Sequence, residues 1–215
     1  MEIIEEHINL CDESVTLTNQ RALFWPRNSA LILSDLHIGK TGHFKKHGIP
    51  MPDAILQKDL NRLKALIEHF NANQLIVVGD LFHAEANNDM LTFKTWMTQF
   101  QNFEIVLIKG NHDRLSKKMM ADFNFRVETE LEIEPFLFVH EQLKKHENHF
   151  TISGHIHPGV LLKGKGKQKL KLPCYQLTKN QLILPAFSLF TGLNTKSAPN
   201  DAICYAFTES SIFRF

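Results

Sequence analysis

The chain has 215 residues, of which 43% are hydrophobic and 22% are charged, a composition typical of one globular domain with a substantial core. Lys and Arg (24) nearly balance Asp and Glu (23), and the formal charge of +1 excludes a general electrostatic attraction to nucleic acids or anionic membranes. Three widely separated cysteines, Cys11, Cys174 and Cys204, argue against a disulfide framework or a zinc ribbon and fit a reducing compartment.

The sequence offers no candidate membrane span or secretion signal. The longest apolar stretch, residues 182–190, is far shorter than the roughly 20 residues that cross a bilayer. The first residues, Met-Glu-Ile-Ile-Glu-Glu-His, are acidic and lack the apolar core of a signal peptide. We therefore expect a cytoplasmic protein that does not bind membranes.

Three short apolar runs in the first half alternate with helical patterns. The runs at residues 30–33, 75–78 and 105–108 predict buried strands. Asp53 is a candidate N-cap for a helix after the first strand, and a second helix is predicted around residues 90–100. The apolar face of the first helix comprises Leu56, Leu60, Leu63, Ile67 and Phe70. This alternation is typical of parallel βαβ units.

The second half has turn signals between short apolar runs and predicts mainly β-sheet. We expect strands at residues 131–133, 136–139, 150–153, 170–176, 182–184, 202–207 and 211–215. The predicted class is therefore α/β. Because no linker or internal repeat is found, residues 1–215 are expected to form a single domain.

Polar residues follow directly after five of the predicted strands. These blocks are Ser34-Asp35-Leu36-His37, Gly79-Asp80, Gly110-Asn111-His112-Asp113, Val139-His140 and Gly154-His155-Ile156-His157. The carboxyl ends of strands in open α/β sheets form the crevice where ligands bind. Glycine beside a ligand lets the backbone turn or approach closely. We expect the polar side chains to meet in one site.

The residue types in these blocks are those of a divalent metal site. Imidazole and carboxylate together suit manganese, iron or zinc, whereas magnesium alone prefers more oxygen. Asp35 and His37 are two positions apart, as are His155 and His157, so on an extended backbone each pair points to one side. Asp80 can bridge two ions, and ions roughly 3.5 to 4 Å apart can hold a phosphoryl oxygen and generate hydroxide at neutral pH. The pattern predicts hydrolysis of a phosphate ester.

The ordered set of five blocks resembles the calcineurin-like metallophosphoesterase signature. The resemblance implies two packed mixed β-sheets flanked by helices, an αββα sandwich. It implies two divalent metal ions, with Mn²⁺ expected and Fe or Zn as alternatives. One ion would be bound by Asp35, His37, Asp80 and His157, and the other by Asp80, Asn111, His140 and His155.

The same resemblance assigns catalytic roles to the third block. It implies that His112 lies outside the metal ligands, stabilises the transition state and protonates the leaving oxygen. Asp113 would orient the His112 ring, as carboxylates commonly do for catalytic histidines.

A narrower resemblance covers most of the chain. It is carried by residues 34–40, 43–44, 48–50 and 79–83, and in the second half by residues 154–159, 172–174, 184–187 and 190–192. These segments resemble the ligase-associated DNA damage response endonuclease group. That resemblance implies a DNA phosphodiester substrate, with a DNA ligase and a helicase as partners in repair. Where many members have His-Gly, this chain has His140-Glu141, so the backbone there is expected to differ.

Three residues near the first two blocks are candidate substrate contacts. Lys40 and His43 follow the first block and His83 follows the second, so each could contact a substrate phosphate. The alternative is that Lys40 and His43 face solvent and that His83 stabilises its own loop. The aromatic group Phe82, Phe93, Trp96 and Phe100 could stack on bases, but its helical spacing favours core packing.

Five lysines alternate with other residues late in the chain, at Lys163, Lys165, Lys167, Lys169 and Lys171. In a strand they would form a basic face suited to a nucleic-acid backbone. The alternative is a solvated edge hairpin that its lysines protect from aggregation.

Three functions are compatible with the sequence. The leading hypothesis is a dinuclear metal-dependent phosphodiesterase that hydrolyses DNA with a metal-activated hydroxide, as an endonuclease linked to DNA repair. The second is a phosphatase or pyrophosphatase acting on a small nucleotide or sugar-lipid phosphoester. The third is a non-enzymatic scaffold that binds repair proteins.

Overall fold

Two β-sheets packed face to face dominate the computed structural model, which describes residues 1–46, 48, 54–83, 88–100, 102–113, 123, 125–196 and 198–215. Both sheets mix parallel and antiparallel strands. The predicted fold of two packed mixed sheets with flanking helices is confirmed.

The first sheet contains seven strands in chain order within the described residues. They are β1 (Glu5–Leu10), β2 (Glu13–Thr18), β3 (Leu23–Trp25), β4 (Ala30–Leu33), β5 (Gln74–Val78), β6 (Glu104–Ile108) and β7 (Arg126–Glu128). Strands β1 to β4 pair antiparallel, and β4 to β7 pair parallel. The parallel strands bring their carboxyl ends to one edge of the sheet.

The second sheet is formed by the later strands. They are β8 (Glu130–Ile133), β9 (Phe136–Val139), β10 (Phe150–Ser153), β11 (Gly159–Lys163), β12 (Lys169–Leu177), β13 (Gln181–Ile183), β14 (Ile203–Phe207) and β15 (Ile212–Arg214). Their order is β15-β14-β12-β13-β10-β9-β8, with β11 paired to β12 outside this path. Strands β9 and β10 are parallel, so their carboxyl ends also lie together.

Helices α1 (Lys40–Lys46), α2 (Ala54–Phe70) and α3 (Asn88–Met97) follow the first two parallel strands. The predicted apolar face of α2 is confirmed, since Leu60 and Leu63 are fully buried and Phe70 stacks on Phe24 with ring centroids 4.4 Å apart. The predicted N-cap, Asp53, lies outside the described residues. None of the helices described is long and apolar enough to cross a membrane.

The central strands are buried on both faces, which explains their continuous apolar sequences. In β4, Leu31 and Leu33 pack in the cluster that includes the apolar residues of α2 and α3. Ala30 and Ile32 belong to the cluster between the two sheets. Phe93 in α3 is likewise fully buried in the first cluster, as expected for core packing rather than base stacking.

Aromatic side chains fill the space between the sheets. Trp25 from the first sheet meets Phe136 from the second edge-on, with ring centroids 4.9 Å apart. Phe138 lies next to the same indole at 6.2 Å and is fully buried. The packing of these rings holds the two sheets together.

Removal of the Phe138 ring tests this packing. We expect Phe138→Ala to lower the free energy of unfolding by about 3 to 5 kcal/mol, because the cavity between the sheets cannot close completely. Phe213→Ala is the matched control, since that ring is 42% exposed and its loss should change stability by far less. Urea denaturation of both variants makes the measurement, and equal losses would contradict the assigned core.

Candidate metal centre

Five loops meet where the parallel strands of the two sheets end. The Asp35 N–H donates to the Gly79 carbonyl at 3.0 Å, joining the loops after β4 and β5. The Gly154 N–H donates to the His140 carbonyl at 3.1 Å, joining those after β9 and β10. The His155 N–H donates to Asp35 Oδ2 at 3.1 Å. That bond links the first sheet to the second across the site.

Two groups of side chains have the spacing of metal ligands. The first comprises Asp35, His37 and His157, and the second comprises Asp35, Asp80 and His140. Within each group the candidate ligand atoms lie within 4.8 Å of one another. Asp35 belongs to both groups. It is therefore a candidate to bridge two ions, in addition to Asp80, for which that role was expected.

The remaining predicted ligands border the second group on its exposed side. Asn111 Nδ2 lies 3.4 Å from His155 Nδ1, and the His155 ring centroid lies 5.1 Å from that of His140. The seven predicted ligands therefore surround one region at the junction of the sheets.

Several buried polar atoms in this region have no hydrogen-bond partner among the described residues. They are Asp35 Oδ1, both ring nitrogens of His37, His140 Nε2 and His157 Nε2. Leaving a buried polar atom unsatisfied costs about 1 to 3 kcal/mol. His157 Nε2 and Asp35 Oδ1 lie 3.2 Å apart without hydrogen-bond geometry, as expected of atoms directed at a common ion. Carboxylate oxygen and imidazole nitrogen together fit a borderline divalent cation.

Burial and charge set the protonation states of these groups. Burial lowers the pKa of His37 to about 3, so its ring is neutral at pH 7. Burial acts to raise the pKa of Asp80, but the His140 ring and the His112 N–H outweigh it and hold that pKa at about 2. Burial acts to lower the pKa of His140, but the Asp80 carboxylate outweighs it and raises that pKa to about 9. A neutral His37 and an ionised Asp80 are the states that bind metal, whereas His140 would have to release its proton to do so.

The backbone of the predicted ligands is left-handed at five positions. Their φ angles are 57° at Asp35, 53° at His37, 52° at Asp80, 69° at His155 and 53° at His157. We expected the Asp35/His37 and His155/His157 pairs to converge because alternate side chains of an extended strand share a face. That reason is wrong, because β4 and β10 end before these residues. Tight loops with left-handed residues direct the side chains inward instead, at an energetic cost typical of functional sites.

Three glycines in the blocks leave space for the candidate ligands. A Cβ atom on Gly79 would lie 2.0 Å from His140 Nδ1. One on Gly110 would lie 2.2 Å from Asp80 Oδ1, and one on Gly154 would lie 2.8 Å from Asp35 Oδ2. Glycine is required at these positions because any larger residue would displace the side chain of a candidate ligand.

Asp113 has a different role from the expected one. Its Oδ2 accepts hydrogen bonds from the N–H groups of Asp80 and Gly110, both at 2.8 Å, and its Oδ1 accepts one from Phe82 N–H at 2.8 Å. The prediction that Asp113 orients the His112 ring is therefore corrected. The buried carboxylate instead holds the loop after β5 against the loop after β6, because it satisfies three backbone donors there.

His112 lies at the exposed rim of the site. Its N–H donates to Asp80 Oδ1 at 2.9 Å, and its Nε2 lies 4.0 Å from Asp80 Oδ2. About half of its side chain is exposed. The ring can therefore contact a substrate that approaches the candidate ligands from solvent.

Two of the three predicted substrate contacts, His83 and Lys40, have described side chains, and both lie near the site. The His83 ring centroid is 4.8 Å from that of His112. Lys40 Nζ lies over the Phe190 ring, 5.7 Å from its centroid, and burial lowers the pKa of this ammonium while Asp35 and Asp80 act to raise it. The side chain of His43 lies outside the described residues.

A buried ionic group behind the site was not predicted. Arg62 pairs with Asp59 at 3.0 Å and donates to the Phe187 carbonyl, and Arg21 donates to the carbonyls of Ala186 and Ser188. The same loop, residues 186–190, supplies the Ser188 N–H that donates to the Asp35 carbonyl at 3.2 Å. The sequence signal was available, because the Asp59/Arg62 pair lies at i,i+3 spacing on the apolar face of α2.

The spacing at Gly154 yields a direct test of the site. In Gly154→Ala the new methyl group would lie 2.6 Å from Ser34 Cβ, so the Asp35 loop must shift. We expect stability to fall by about 1 to 3 kcal/mol and bound metal to decrease. In the control, Gly192→Ala, the methyl group meets no atom within 4 Å. Urea denaturation and elemental analysis compare the two, and equal metal content would refute the proposed packing of Asp35.

The fold is similar to that of a nuclease of known structure. The Pseudomonas putida nuclease MPE is 29% identical and superimposes with a TM-score of 0.84, covering 99% of this chain and 100% of that one. A weaker likeness is to Yfce, a phosphoesterase from E. coli, with 13% identity, a TM-score of 0.44, and coverage of 82% of this chain and 87% of that one. No curated protein matches the sequence significantly.

The sequence model of one family, calcineurin-like phosphoesterase, matches residues 29–192. This match contains all five of the polar blocks and strands β4 to β13. The chain thus belongs to the calcineurin-like phosphoesterase family and is a metal-dependent hydrolase of phosphoester bonds.

Proposed function

We propose that this protein is a phosphodiesterase that cleaves DNA internally, with two divalent metal ions in the site described above. The observation that carries the proposal is the set of buried candidate ligand atoms that make no hydrogen bond, beneath an exposed rim. DNA is supported as the substrate by the likeness to a nuclease along the whole chain. A role in repair beside a DNA ligase and a helicase is supported by the narrower sequence resemblance. A cytoplasmic location is supported by the widely separated cysteines, and a single domain by a sequence in which no linker or internal repeat is found.

The candidate ligands divide between the two ions. Asp35, His37, Asp80 and His157 would hold one ion, and Asp80, Asn111, His140 and His155 would hold the other. The mixture of imidazole and carboxylate supports Mn²⁺, with Fe or Zn as alternatives. When bound, such a pair offsets the charge on phosphoryl oxygens and lowers the pKa of an attacking water.

The chain's own residues supply positioning and proton transfer. Asp113 holds the loops that carry Asp80 and His112 in register through its three backbone hydrogen bonds. The exposed His112 ring would donate a proton to the leaving oxygen of the cleaved phosphodiester. Lys40, His43 and His83 would contact neighbouring phosphates, where a positive charge or a ring N–H stabilises the substrate.

Asp80→Asn tests the metal assignment. Replacing the carboxylate removes the charge that two ions would share, so we expect bound metal to fall from about two ions per chain and hydrolysis to be lost. The measurements are elemental analysis and Mn²⁺-dependent cleavage of single-stranded DNA and of bis(p-nitrophenyl) phosphate. Asp12→Asn, at an exposed turn, is the control and should retain both properties.

The Asp80→Asn experiment also separates the proposals. DNA cleavage that persists in Asp80→Asn would identify a contaminating nuclease. If the parent protein hydrolyses bis(p-nitrophenyl) phosphate but does not cleave DNA, DNA is refuted as the substrate and a small phosphoester is favoured. Metal binding with no turnover of any phosphoester would favour a scaffold.

His112→Ala separates chemistry from metal binding. The variant should keep its metals, because His112 is not among the candidate ligands, and its rate should fall by roughly 10² to 10⁴-fold, as for the loss of a positioned acid. His149→Ala is the matched control, since this exposed histidine precedes β10 and lies away from the strand ends that form the site. An unchanged rate in His112→Ala would remove this residue from the mechanism.

A further inference from the structure

Positive charge is concentrated in one part of the chain. The segment between Glu147 and Asp201 contains seven lysines and no arginine, aspartate or glutamate, although the whole chain has a formal charge of only +1. The same segment contains His155 and His157. The local charge beside the site is therefore much more positive than the overall composition indicates.

Five of these lysines lie on one hairpin, formed by β11 and β12 and the turn between them. Lys163 and Lys169 are directly opposite each other in the antiparallel pair, and Lys171 is opposite Leu161. Opposed and alternate residues share a face, so these three lysines lie on the same side. Lys165 and Lys167 lie in the turn, and all five are exposed.

The other face of the hairpin is apolar and anchored. Val160 and Leu162 pack against the buried cluster of Leu172, Cys174, Cys204 and Ala206. One side of the hairpin is thus fixed on the second sheet, and the lysine side is left facing solvent.

The fold itself gains nothing from this arrangement of charge. Like charges directly opposite each other in a sheet are destabilising, and Lys163 and Lys169 form such a pair. In the part of the chain that the structure describes, no ion pair involves any of the five lysines. Lysines also protect edge strands from aggregation, but that role does not require two of them to lie directly opposite each other. Five lysines without acidic partners favour an anionic ligand.

The hairpin is connected rigidly to the candidate metal centre. Strand β11 begins two residues after His157, and the intervening backbone is held by Asn194, whose N–H donates to the His157 carbonyl and whose carbonyl accepts from Gly159 N–H, both at 2.9 Å. From His157 to Lys163 the extended chain covers roughly 20 Å. With one phosphate per roughly 3.4 Å along each strand of a DNA duplex, this length matches about six phosphates of a duplex strand.

We infer that the lysine face of the β11–β12 hairpin binds the phosphate backbone of the DNA strand that enters the metal centre. The inference rests on the proposed nuclease function and extends it, because it identifies where the uncleaved part of the substrate is held. A small phosphoester would not reach this surface. An anionic membrane fits less well, because Leu170, which is 54% exposed, is a single exposed leucine on the hairpin, and stable membrane binding requires a larger apolar face.

The test measures DNA binding without catalysis. A fluorescent single-stranded 30-mer is titrated in EDTA at several salt concentrations, with the parent protein and a variant carrying Lys163→Gln, Lys167→Gln, Lys169→Gln and Lys171→Gln. We expect affinity at moderate salt to fall by about tenfold or more, and the slope of log K against log salt to become shallower by about 2 to 3, since each lost phosphate contact contributes roughly 0.7. Hydrolysis of bis(p-nitrophenyl) phosphate with Mn²⁺ should be unchanged.

Two controls make the result specific. Lys58→Gln, Lys64→Gln, Lys145→Gln and Lys179→Gln combined remove the same charge outside the hairpin and should leave the affinity nearly unchanged. Arginine at the four hairpin positions retains the charge and should retain binding. Loss of binding in the arginine variant as well would mean that the hairpin's shape, and not its charge, is responsible, and would overturn the inference.

The remaining outcomes separate this inference from the proposed function. Unchanged DNA affinity and salt slope in the glutamine variant would overturn the inference and leave the diesterase intact. Reduced binding to phosphatidylserine vesicles with unchanged DNA binding would overturn it in favour of a membrane surface. If the parent protein cleaves no diester but binds DNA, and the glutamine variant binds DNA more weakly, the inference stands and the proposed catalysis is refuted.

Discussion

The burial of the Asp35 carboxylate at the junction of two sheets is the constraint on which the site depends. Its side chain meets His157 and accepts the His155 N–H, both from the second sheet. Its backbone meets Gly79 after β5 and Ser188 in a loop of the second half. A buried carboxylate is unfavourable without a cation when one of its oxygens accepts no hydrogen bond, as is the case for Asp35 Oδ1. The packing of two sheets therefore both creates the candidate site and makes it dependent on a positive charge.

The loops around Asp35 contain locally unfavourable backbone conformations that position the candidate ligands. Five candidate ligands adopt left-handed backbone conformations, and three glycines leave room where a Cβ would collide with a ligand side chain. Strain of this kind persists only when its surroundings determine it completely. Here those surroundings are buried hydrogen bonds, from Asp113 to three backbone N–H groups and from the Arg21 and Arg62 guanidinium groups to the loop at residues 186–190.

The sequence predicted those parts of the structure that local pattern determines. The bounds of β4, β9 and β10 agree with the predicted strands. Strands β4 and β9 are uninterrupted apolar runs and β10 alternates apolar with polar residues, and each is followed by a polar block. Strand β1 was not predicted, since Glu5–Leu10 mixes charged and apolar residues and depends on pairing with β2. The partners of Asp113 and the left-handed loops were also missed. These depend on how three loops meet in space, and periodicity carries no information about that contact.

Strand β12 runs without a break from the exposed lysines into the interior of the second sheet. Its first residues pair with β11, and residues 174–177 pair with β13 or β14 in the core. One end of this nine-residue strand therefore cannot turn independently of the other. A ligand that reaches the basic face meets a surface already ordered by the core, so binding need not be accompanied by the entropy loss of ordering a flexible arm. Because the core fixes the orientation of this surface relative to Asp35 and His157, the charge of the surface can vary through evolution while its orientation stays constant.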